Sequence, residues 1–308
     1  MVTVSAAFLA GLADPSNHPQ RIVLQFDSGT IISNEDVDVE GGVDFHEVFC
    51  SETDLTIGLT PSSELQFGLL NDDGHWSQFT FGTFNAYIGV RLSYTANSSA
   101  KVQRPSITIN GTAMTVNGNG RNESYELMPI GRFIAPRPAV VQKMLIDVQA
   151  NDQMTLFDKD MPSDSDLGVT YPITAGTLLQ KLCTYVEVTP VTTTFTNSTL
   201  SLSSRPKSFD TSTMREVLGW IAEAACANAR FNRQGQLEMA WLTDATAART
   251  FDENAYTSFE PSWFETPKVS KLHIRNEDST AEATVGDGDN AYMIQNNPFL
   301  RQSEVSGT

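Results

Sequence analysis

The sequence predicts a mainly β protein of the α+β class. Over the first 155 residues, apolar and polar residues alternate in short runs separated by turn-forming residues, which is the pattern of half-buried strands. Over residues 165–245 the apolar residues instead recur at helical spacing. We therefore expect a first β-rich domain at 1–155, a small α/β domain at 165–245 and the start of a second β-rich domain at 255–308.

The first domain opens with a short helix and continues as strands. The helix covers residues 5–13 and ends before Pro15, because the residue before a proline avoids the α conformation. Its apolar side carries Phe8, Leu9 and Leu12. The predicted strands lie at residues 21–26, 29–33, 37–45, 55–59, 77–94, 105–116 and 123–135, with turn signals at 71–74, 110–111 and 117–118. This pattern is typical of a β-barrel or a β-sandwich.

The α/β domain contains two predicted helices and a hairpin. The first helix has an apolar face made of Leu178, Leu179, Leu182, Cys183 and Val186. A Thr-rich, strand-like segment follows at residues 191–204. The second helix begins at Thr213, which fits a capping box with Glu216, and it ends near Ala229 before a hairpin turn at residues 232–235. Its apolar stripe consists of Met214, Val217, Leu218, Ile221 and Ala225. Strand patterns return at residues 269–276, 280–287 and 291–300.

Composition and charge narrow the classes of function. A chain of 308 residues with 40% hydrophobic content is long enough for two or three compact cores. Its 20 Lys and Arg residues against 37 Asp and Glu residues give a net charge of -17, which disfavours tight binding to nucleic acid or to anionic lipid. The sequence has no apolar run of about 18 residues, so no membrane span is expected.

The three cysteines give no sign of metal binding or catalysis. The chain has an odd number of cysteines, and their spacing matches neither a zinc motif nor a disulfide framework. They are Cys50, Cys183 and Cys226. Cys226 lies beside the apolar stripe of the second helix, between two alanines, with no neighbour that would lower its pKa. We expect reduced cysteines and a buried, structural Cys226.

One acidic segment is similar to a calcium-binding loop. "DVDVEGGVDFHE" begins at Asp36 and places acids at most of the ligand positions of an EF-hand, with a glycine at the sixth. An EF-hand needs a helix on each side, whereas the flanking patterns here are strand-like, and the same alternation is typical of an edge strand. No metal or cofactor is therefore predicted, and Asp36, Asp38, Glu40 and Glu47 are only weak candidates for metal ligands.

No common catalytic signature is present. His18, His46, His75 and His273 lie in separate segments without metal-binding spacing. The chain has no nucleophile elbow, no Walker loop and no dinucleotide-binding glycine motif. The chain has enough acidic residues to form a pair of catalytic carboxylates like that of a glycosidase, but the sequence does not indicate which two residues would form it.

Several segments occur in a characteristic order along the chain. A short helix is followed by "FDSGTIISNEDV", "CSETDLTIGLTPSSELQFGLLNDDG", "TAGTLLQKLC", "TMREVLGWIAEAACANARFNRQGQLEM" and "AYMIQNNPFL". In this order the chain resembles the tail-tip or baseplate hub proteins of tailed bacteriophages and prophages, which include the N-terminal hub region of the tail-associated lysins. The resemblance runs from about residue 3 to residue 300, and it is most specific over 213–239 and then over 54–67.

The resemblance implies a fold and an assembly. The fold would be tail-tube-like β-barrel domains with an attached α/β domain, assembled as a homotrimer that caps the tail tube. Its partners would be the tail tube, the distal tail protein, the tape measure protein and DNA that passes without specific binding. The protein would be assembled in the cytoplasm of the host bacterium and would lie in the virion, at the distal end of the tail.

The resemblance implies no catalytic residue and no cofactor for this region, so the protein is not expected to be an enzyme. In the family, further strands complete the second barrel, so we expect the chain to continue beyond Thr308 and any lytic domain to lie there. Two other functions stay open. One is a cell-wall-degrading tail lysin, a peptidase or a glycosidase. The other is a carbohydrate-binding receptor module, for which Trp76 and Trp263 are the candidate residues.

Overall fold

A computed structural model of the protein describes residues 5–13, 20–38, 42–48, 56–95, 106–109, 112–115, 122–136, 144–240, 271–275, 282–287, 291–295 and 297–300. The α-helices are α1 (Ala6–Ala13), α2 (Asp164–Leu167), α3 (Ala175–Tyr185) and α4 (Met214–Ala224). Short 3-10 helices cover His75–Gln78, Gln153–Phe157 and Lys207–Asp210. Strands outnumber helices among the described elements, which confirms the prediction of a mainly β protein.

The strands are β1 (Gln20–Phe26), β2 (Ile31–Ser33), β3 (Val43–His46), β4 (Glu64–Leu70), β5 (Thr83–Thr95), β6 (Ser106–Ile109), β7 (Thr112–Thr115), β8 (Asn122–Ile134), β9 (Leu145–Asp152), β10 (Ile173–Thr174), β11 (Ser201–Leu202), β12 (Asn228–Phe231), β13 (Leu237–Ala240), β14 (Lys271–Arg275), β15 (Glu282–Val285) and β16 (Ala291–Gln295). The chain divides into two compact units. Unit 1 contains residues 1–47, 62–155 and 231–236, and unit 2 contains residues 48–61, 156–230 and 237–308. Each unit therefore combines segments that are distant in the sequence.

Unit 1 is built on a large sheet whose strands follow the order β2-β1-β5-β8-β9-β4-β3. Neighbours along this path are antiparallel. The long strands β5 and β8 pair from Thr83↔Ile134 to Thr95↔Asn122, and two register shifts interrupt the ladder. The hairpin β6-β7 joins the sheet through a parallel pairing of β6 with β8. The sheet thus has β2 at one end of the path and β3 at the other.

Several predicted strands differ from the structure. The strand expected at 77–94 begins only at Thr83, after a 3-10 helix at His75–Gln78, and the strand expected at 291–300 ends at Gln295. The strand expected at 37–45 is shorter, since β3 begins at Val43 and Val37 forms an isolated bridge with Leu69. The strand expected at 55–59 is wrong over its described part, because residues 56–59 form no strand. Gly58 has a φ of 81°, which is outside the extended region and interrupts any strand at this position.

Alternating residues of the sheet in unit 1 form one phenylalanine-rich core. The ring of Phe84 is fully buried and lies 4.7 Å from that of Phe26, 5.9 Å from Phe133 and 6.0 Å from Phe67, measured between ring centroids. Each such side chain stabilises the fold by about 1.5–3 kcal/mol through burial. Inward-facing residues of β1, β2, β4, β5, β8 and β9 all belong to this cluster, so both ends of the strand order contribute to a single core.

Helix α1 lies against β5 of unit 1. Its Phe8 is buried, whereas Leu9 is 52% exposed, so the prediction that Leu9 shares the buried side is wrong. Adjacent residues of a helix point about 100° apart, and Phe8 occupies the contact. The helix is also held by Ser5, whose backbone N–H donates to the Glu126 carboxylate at 2.8 Å. No helix among the described residues is long and apolar enough to cross a lipid bilayer.

Unit 2 combines helices α2, α3 and α4 with three small sheets. The sheets are β10-β11, β12-β13 and β15-β14-β16, in which β14 is antiparallel to β15 and parallel to β16. The predicted face of α3 is confirmed over Leu178, Leu179, Leu182 and Cys183, all of which are buried. Its N-cap is Thr174, whose hydroxyl accepts the backbone N–H of Thr177.

The segment expected to be strand-like at 191–204 is mostly turns. Only Ser201–Leu202 pairs as a strand. Short polar side chains compete for the backbone here: the Thr192 hydroxyl accepts the N–H of Thr194 at 3.0 Å. Asn197 has a left-handed φ of 61°, and its side-chain amide donates to the Ala224 carbonyl at 2.9 Å. The first of these hydrogen bonds is local and the second reaches the end of α4, and neither belongs to a strand ladder.

Candidate functional site

Helix α4 makes a close contact with residues 56–60 of unit 2 through two glycines. A Cβ on Gly219 would lie 3.0 Å from the Gly58 carbonyl oxygen, and a Cβ on Gly58 would lie 2.8 Å from Cβ of Glu223. Gly58 also has a φ of 81°, which L side chains rarely adopt. The approach of this segment to the helix therefore requires glycine at position 58.

The same segment is hydrogen-bonded to the chain that follows α4. The Gly58 N–H donates to the Ala227 carbonyl at 2.8 Å, and the Ala229 N–H donates to the Leu59 carbonyl at 2.9 Å. Between them, the Leu59 N–H donates to Oδ1 of Asn228 at 3.0 Å. Asn228 is 1% exposed, so its side chain serves as a buried acceptor for a backbone group that would otherwise be costly to bury.

A third segment reaches α4 through Asn297. Its side-chain amide donates to the Trp220 carbonyl at 2.9 Å and to Oε2 of Glu223 at 2.8 Å. Its Oδ1 accepts the N–H of Phe299 at 3.0 Å. Asn297 and Phe299 are each 1% exposed. Burial raises the pKa of the Glu223 carboxyl, and the hydrogen bond from Asn297 acts in the opposite direction.

We call this set of contacts the α4 junction, defined by Gly58, Gly219, Glu223, Asn228 and Asn297. It brings together residues from the segments 54–67, 213–239 and 291–300, over which the sequence resembles hub proteins. Its groups are glycines, amides, backbone groups and one carboxyl. The described contacts of the junction pair no nucleophile with a base, and they consist of packing and hydrogen bonds.

The predicted N-terminus of α4 is confirmed in detail. The Thr213 hydroxyl accepts the N–H of Glu216 at 3.2 Å, and the Glu216 carboxylate accepts the N–H of Thr213 at 2.7 Å, which is a complete capping box. The predicted apolar stripe is buried throughout.

Two predictions about the other end of α4 are wrong. The helix ends at Ala224 rather than near Ala229, and residues 228–231 form β12. Cys226, expected to be buried, is exposed. Cys226 adopts a left-handed φ of 54°, which stops the helix and turns the chain away from its axis. A glycine usually marks such a stop, so the sequence carried no clear signal for it.

Cys183 is the buried thiol of unit 2. It lies on the inner face of α3, and burial raises its pKa to about 12. At neutral pH it is therefore a thiol rather than a thiolate, and it has the properties of a small apolar side chain.

The densest polar cluster of unit 2 surrounds Arg205. Its guanidinium donates to Asp164 at 2.7 Å and to Asp210 at 2.9 Å. The Tyr171 hydroxyl donates to the same Asp164 oxygen at 3.3 Å. Burial, followed by the charge of Asp164, raises the pKa of Tyr171 to about 12. The phenol thus stays protonated at neutral pH, and the cluster joins α2 to the 3-10 helix Lys207–Asp210.

The four metal-ligand candidates do not form a group in the described structure. Asp36 accepts the N–H of Ser33 at 2.9 Å in the turn after β2, and the Asp38 N–H donates to the Gly68 carbonyl at 2.9 Å. Glu47 forms an ion pair with Arg233 at 3.1 Å. Glu40 lies outside the described residues. No group of three or more His, Cys, Asp or Glu side chains suited to a metal occurs in the part of the chain that the structure describes.

The remaining candidates are dispersed. His46 is exposed on β3, and Nδ1 of His273 lies 3.0 Å from the Thr284 hydroxyl. The ring of His75 packs edge-on against Trp76, which is only 6% exposed and belongs to the core of unit 1. His18, Cys50 and Trp263 lie outside the described residues.

Sequence reasoning missed the amides of the α4 junction. Asn228 and Asn297 are not part of a periodic sequence pattern, because each contributes through the hydrogen bonds of a single side chain. The Asn297-Pro298 pair is a local turn signal, and the Asn297 side chain does accept a backbone N–H two residues later. Its bonds to α4 come from a part of the chain that is distant in sequence.

The chain was compared with known proteins. Its structure is similar to that of a 43 kDa tail protein of prophage MuSo2 from Shewanella oneidensis, with 12% sequence identity over 90% of this chain and 72% of that chain and a TM-score of 0.47. It is also similar to a tail protein from Neisseria meningitidis MC58, with 9% identity over 94% of this chain and 76% of that chain and a TM-score of 0.48. No family model matches the chain, and no curated protein matches it by sequence. Similarity at this level carries no functional conclusion.

Proposed function

We propose that the protein is a non-enzymatic structural component of a phage or prophage tail, a hub at the tail tip or baseplate. The observation that carries this proposal is the α4 junction. The two segments on which the resemblance to hub proteins is most specific supply the closely apposed Gly58 and Gly219 and the buried Asn228. Asn297, from a third segment of the resemblance, joins that segment to α4. Sequence similarity concentrated in such a framework is expected of a protein whose function is its shape.

The fold we propose is a set of tail-tube-like barrels with an attached α/β domain. Residues 1–155 would form the first barrel, 165–245 the α/β domain, and 255–308 the start of the second barrel. The shared core of both ends of the strand order in unit 1 supports a sheet that curves toward closure. At the β2 end of the sheet, barrel edge strands would pair between neighbouring subunits in a homotrimer, because an open sheet buries an unpaired edge in this way.

The hub would cap the tail tube and contact the distal tail protein and the tape measure protein, at the distal end of the tail of the virion. It would be assembled in the cytoplasm of the host bacterium and would open for DNA ejection. The net charge of -17 supports passage of DNA without adhesion, since a surface rich in carboxylates offers few cations to phosphates. A lumen lined mainly by Lys and Arg would contradict this part of the proposal.

The experiment that tests the proposal is a mass measurement in solution combined with low-resolution electron microscopy of the purified chain. We expect a trimer that appears as a ring with three-fold symmetry. A protein that stays monomeric at all concentrations would contradict the trimeric hub. Clearing of peptidoglycan by this chain in a zymogram would contradict a purely structural role.

A further inference from the structure

Within the part of the chain that the structure describes, the core of unit 1 is incompletely covered beside β3. Most of its apolar side chains are buried, but Ile22, Val43, Phe45 and Ile88 are only partly buried and pack against its margin. These four residues, together with Val37 and Ile130, line a cavity of about 360 Å³. Asn34 and Asp38 supply polar groups at its wall. The cavity is therefore an apolar recess that is continuous with the core.

The recess lies beside an edge strand. β3 pairs with β4 on one side, from Val43↔Phe67 to His46↔Glu64, and no other described strand pairs with it. The side chains of Val43 and Phe45 face the recess, and those of Asp44 and His46 are exposed on the opposite face. On the other side of the recess, the N–H of Ile22 in β1 already donates to Oδ1 of Asn34 at 2.6 Å. Among the described strands at the recess, the backbone edge without a strand partner is therefore that of β3.

We propose that β3 and this recess form a docking site for an extended segment of a partner protein, in which aliphatic residues alternate with Lys or Arg. The segment would add to β3 as a strand through backbone hydrogen bonds. Side chains on one face of the segment would fill the recess beside Val43 and Phe45, and those on the other face would lie next to Asp44.

Charge complementarity favours this occupant over a second copy of the chain. The outer face of β3, β4 and β9 carries the carboxylates of Asp44, Glu64 and Asp147, and no Lys or Arg lies on these three strands. The chain as a whole has a net charge of -17, so a copy of itself would bring more negative charge to the same edge. Among the described residues that line the recess, the cation is Arg21, which is 9% exposed and lies over the ring of Tyr125.

This inference does not depend on the proposed role in a phage tail, because any partner with the stated chemistry would fit. Binding of a short peptide also gives a readout that is independent of trimer formation.

The test is fluorescence anisotropy of a dye-labelled heptapeptide that alternates Lys with Val and Ile, titrated with the full chain. Three matched peptides serve as controls: one with Glu for Lys, one with Ser for the aliphatic residues, and one with methylated backbone amides that cannot pair with a strand. We expect saturable binding of the first peptide only. Equal binding of the methylated peptide or of the Ser peptide would overturn the proposal, and so would the absence of binding by the first.

A pair of charge variants locates the site. Asp44→Lys on β3 is expected to weaken binding roughly fivefold, because it replaces a cross-strand attraction by a repulsion. Asp147→Lys makes the same charge change on the exposed face two strands away and is expected to leave binding within about twofold. Both positions are exposed, so both variants should keep the unfolding temperature of the parent. Equal weakening by the two variants, or self-association of the chain that Asp44→Lys abolishes, would overturn the choice of site or of partner.

Discussion

The side-chain amide of Asn297 donates a hydrogen bond to the Glu223 carboxylate over 2.8 Å. The contact joins the segment after β16 to helix α4, across 74 positions of sequence. Asn297 is 1% exposed and Glu223 is partly buried, and an amide or a carboxylate that is withdrawn from water is costly without a hydrogen-bond partner.

Replacing Asn297 should therefore destabilise the protein strongly. Asn297→Ala removes two donors to α4 and the acceptor for the Phe299 N–H, and we expect a loss of about 2–3 kcal/mol in the free energy of unfolding. Asn297→Asp keeps the acceptor but places a second carboxylate beside Glu223, so its loss should shrink at acidic pH. Chemical denaturation of the three proteins at two pH values measures both effects. A loss for Asn297→Ala within about 0.5 kcal/mol, typical of a surface site, would contradict the buried contact.

The Glu223 carboxyl should make stability depend on pH. Its folded pKa is raised by burial, so above that pKa the carboxylate is charged in both states and its burial destabilises the fold. As the pH falls through the folded pKa, the folded state binds the proton first, and stability rises until the pH reaches the unfolded value of about 4.3. We expect Glu223→Gln to unfold at a higher temperature than the parent at neutral pH and to lose this rise.

The matched control for Glu223 is Glu35→Gln, which removes a carboxylate from an exposed position of unit 1. Thermal unfolding across the acidic range compares the two variants. If Glu223→Gln unfolds at a lower temperature than the parent at neutral pH, the carboxylate is stabilising and the direction of the effect is wrong.

Alanine substitutions at Gly58 and Gly29 separate the cost of a left-handed backbone from the cost of a steric clash. Gly58→Ala forces an L residue to a φ of 81° and brings a Cβ within 2.8 Å of Glu223. Gly29 has a similar φ of 88° but nothing within 4 Å of an added Cβ, so Gly29→Ala carries only the backbone cost. That cost is about 1–2 kcal/mol. We expect Gly58→Ala to be destabilised well beyond Gly29→Ala, and equal losses in chemical denaturation would show that α4 yields to the added methyl group.

The contribution of the Thr213 hydroxyl to the stability of the α4 capping box should be measurable. Thr213→Ala removes the hydroxyl that accepts the Glu216 N–H and should cost about 1 kcal/mol. Thr213→Ser retains a hydroxyl and should recover most of that loss. Urea denaturation with the two variants side by side provides the measurement. Similar stabilities for the Ala and Ser variants would indicate that water satisfies the helix terminus equally well.

The cysteines should differ sharply in reactivity. In a Cys50→Ser background, exposed Cys226 should react with a thiol reagent in the native protein. Cys183 should react only on unfolding, since it is buried and its pKa is raised to about 12. Cys226→Ser and Cys183→Ser assign the two phases. Fast native labelling that persists in Cys226→Ser would place the exposed thiol at Cys183 instead.

Local patterns predicted the elements whose signals are contained within a few residues. The capping box at Thr213, the buried face of α3 and the hairpin turn at 232–235 are confirmed because each depends on neighbours in sequence. The strands β4 and β9 were not placed individually, although Ile146, Val148 and Ala150 alternate as a buried strand requires. A strict count of period-two alternation would have found β9.

Other features were beyond local reasoning. The segment 191–204 has strand-like composition, yet its Thr and Asn side chains satisfy the backbone locally and leave no ladder to form. The exposure of Cys226 follows from a left-handed residue that is not a glycine, for which the sequence provides no usual signal.

By itself the sequence determined the mainly β class, the negative net charge, the helices α1, α3 and α4 and the capping box at Thr213, because periodicity, composition and capping act over a few residues. Only the tertiary structure decided which segments meet: that Gly58 faces Gly219, that Asn297 reaches Glu223, and that the core stays open beside β3. The physical reason is that such contacts join residues far apart along the chain. Which residues meet depends on how closely two surfaces approach each other in the folded chain. A pattern along the sequence does not specify that distance.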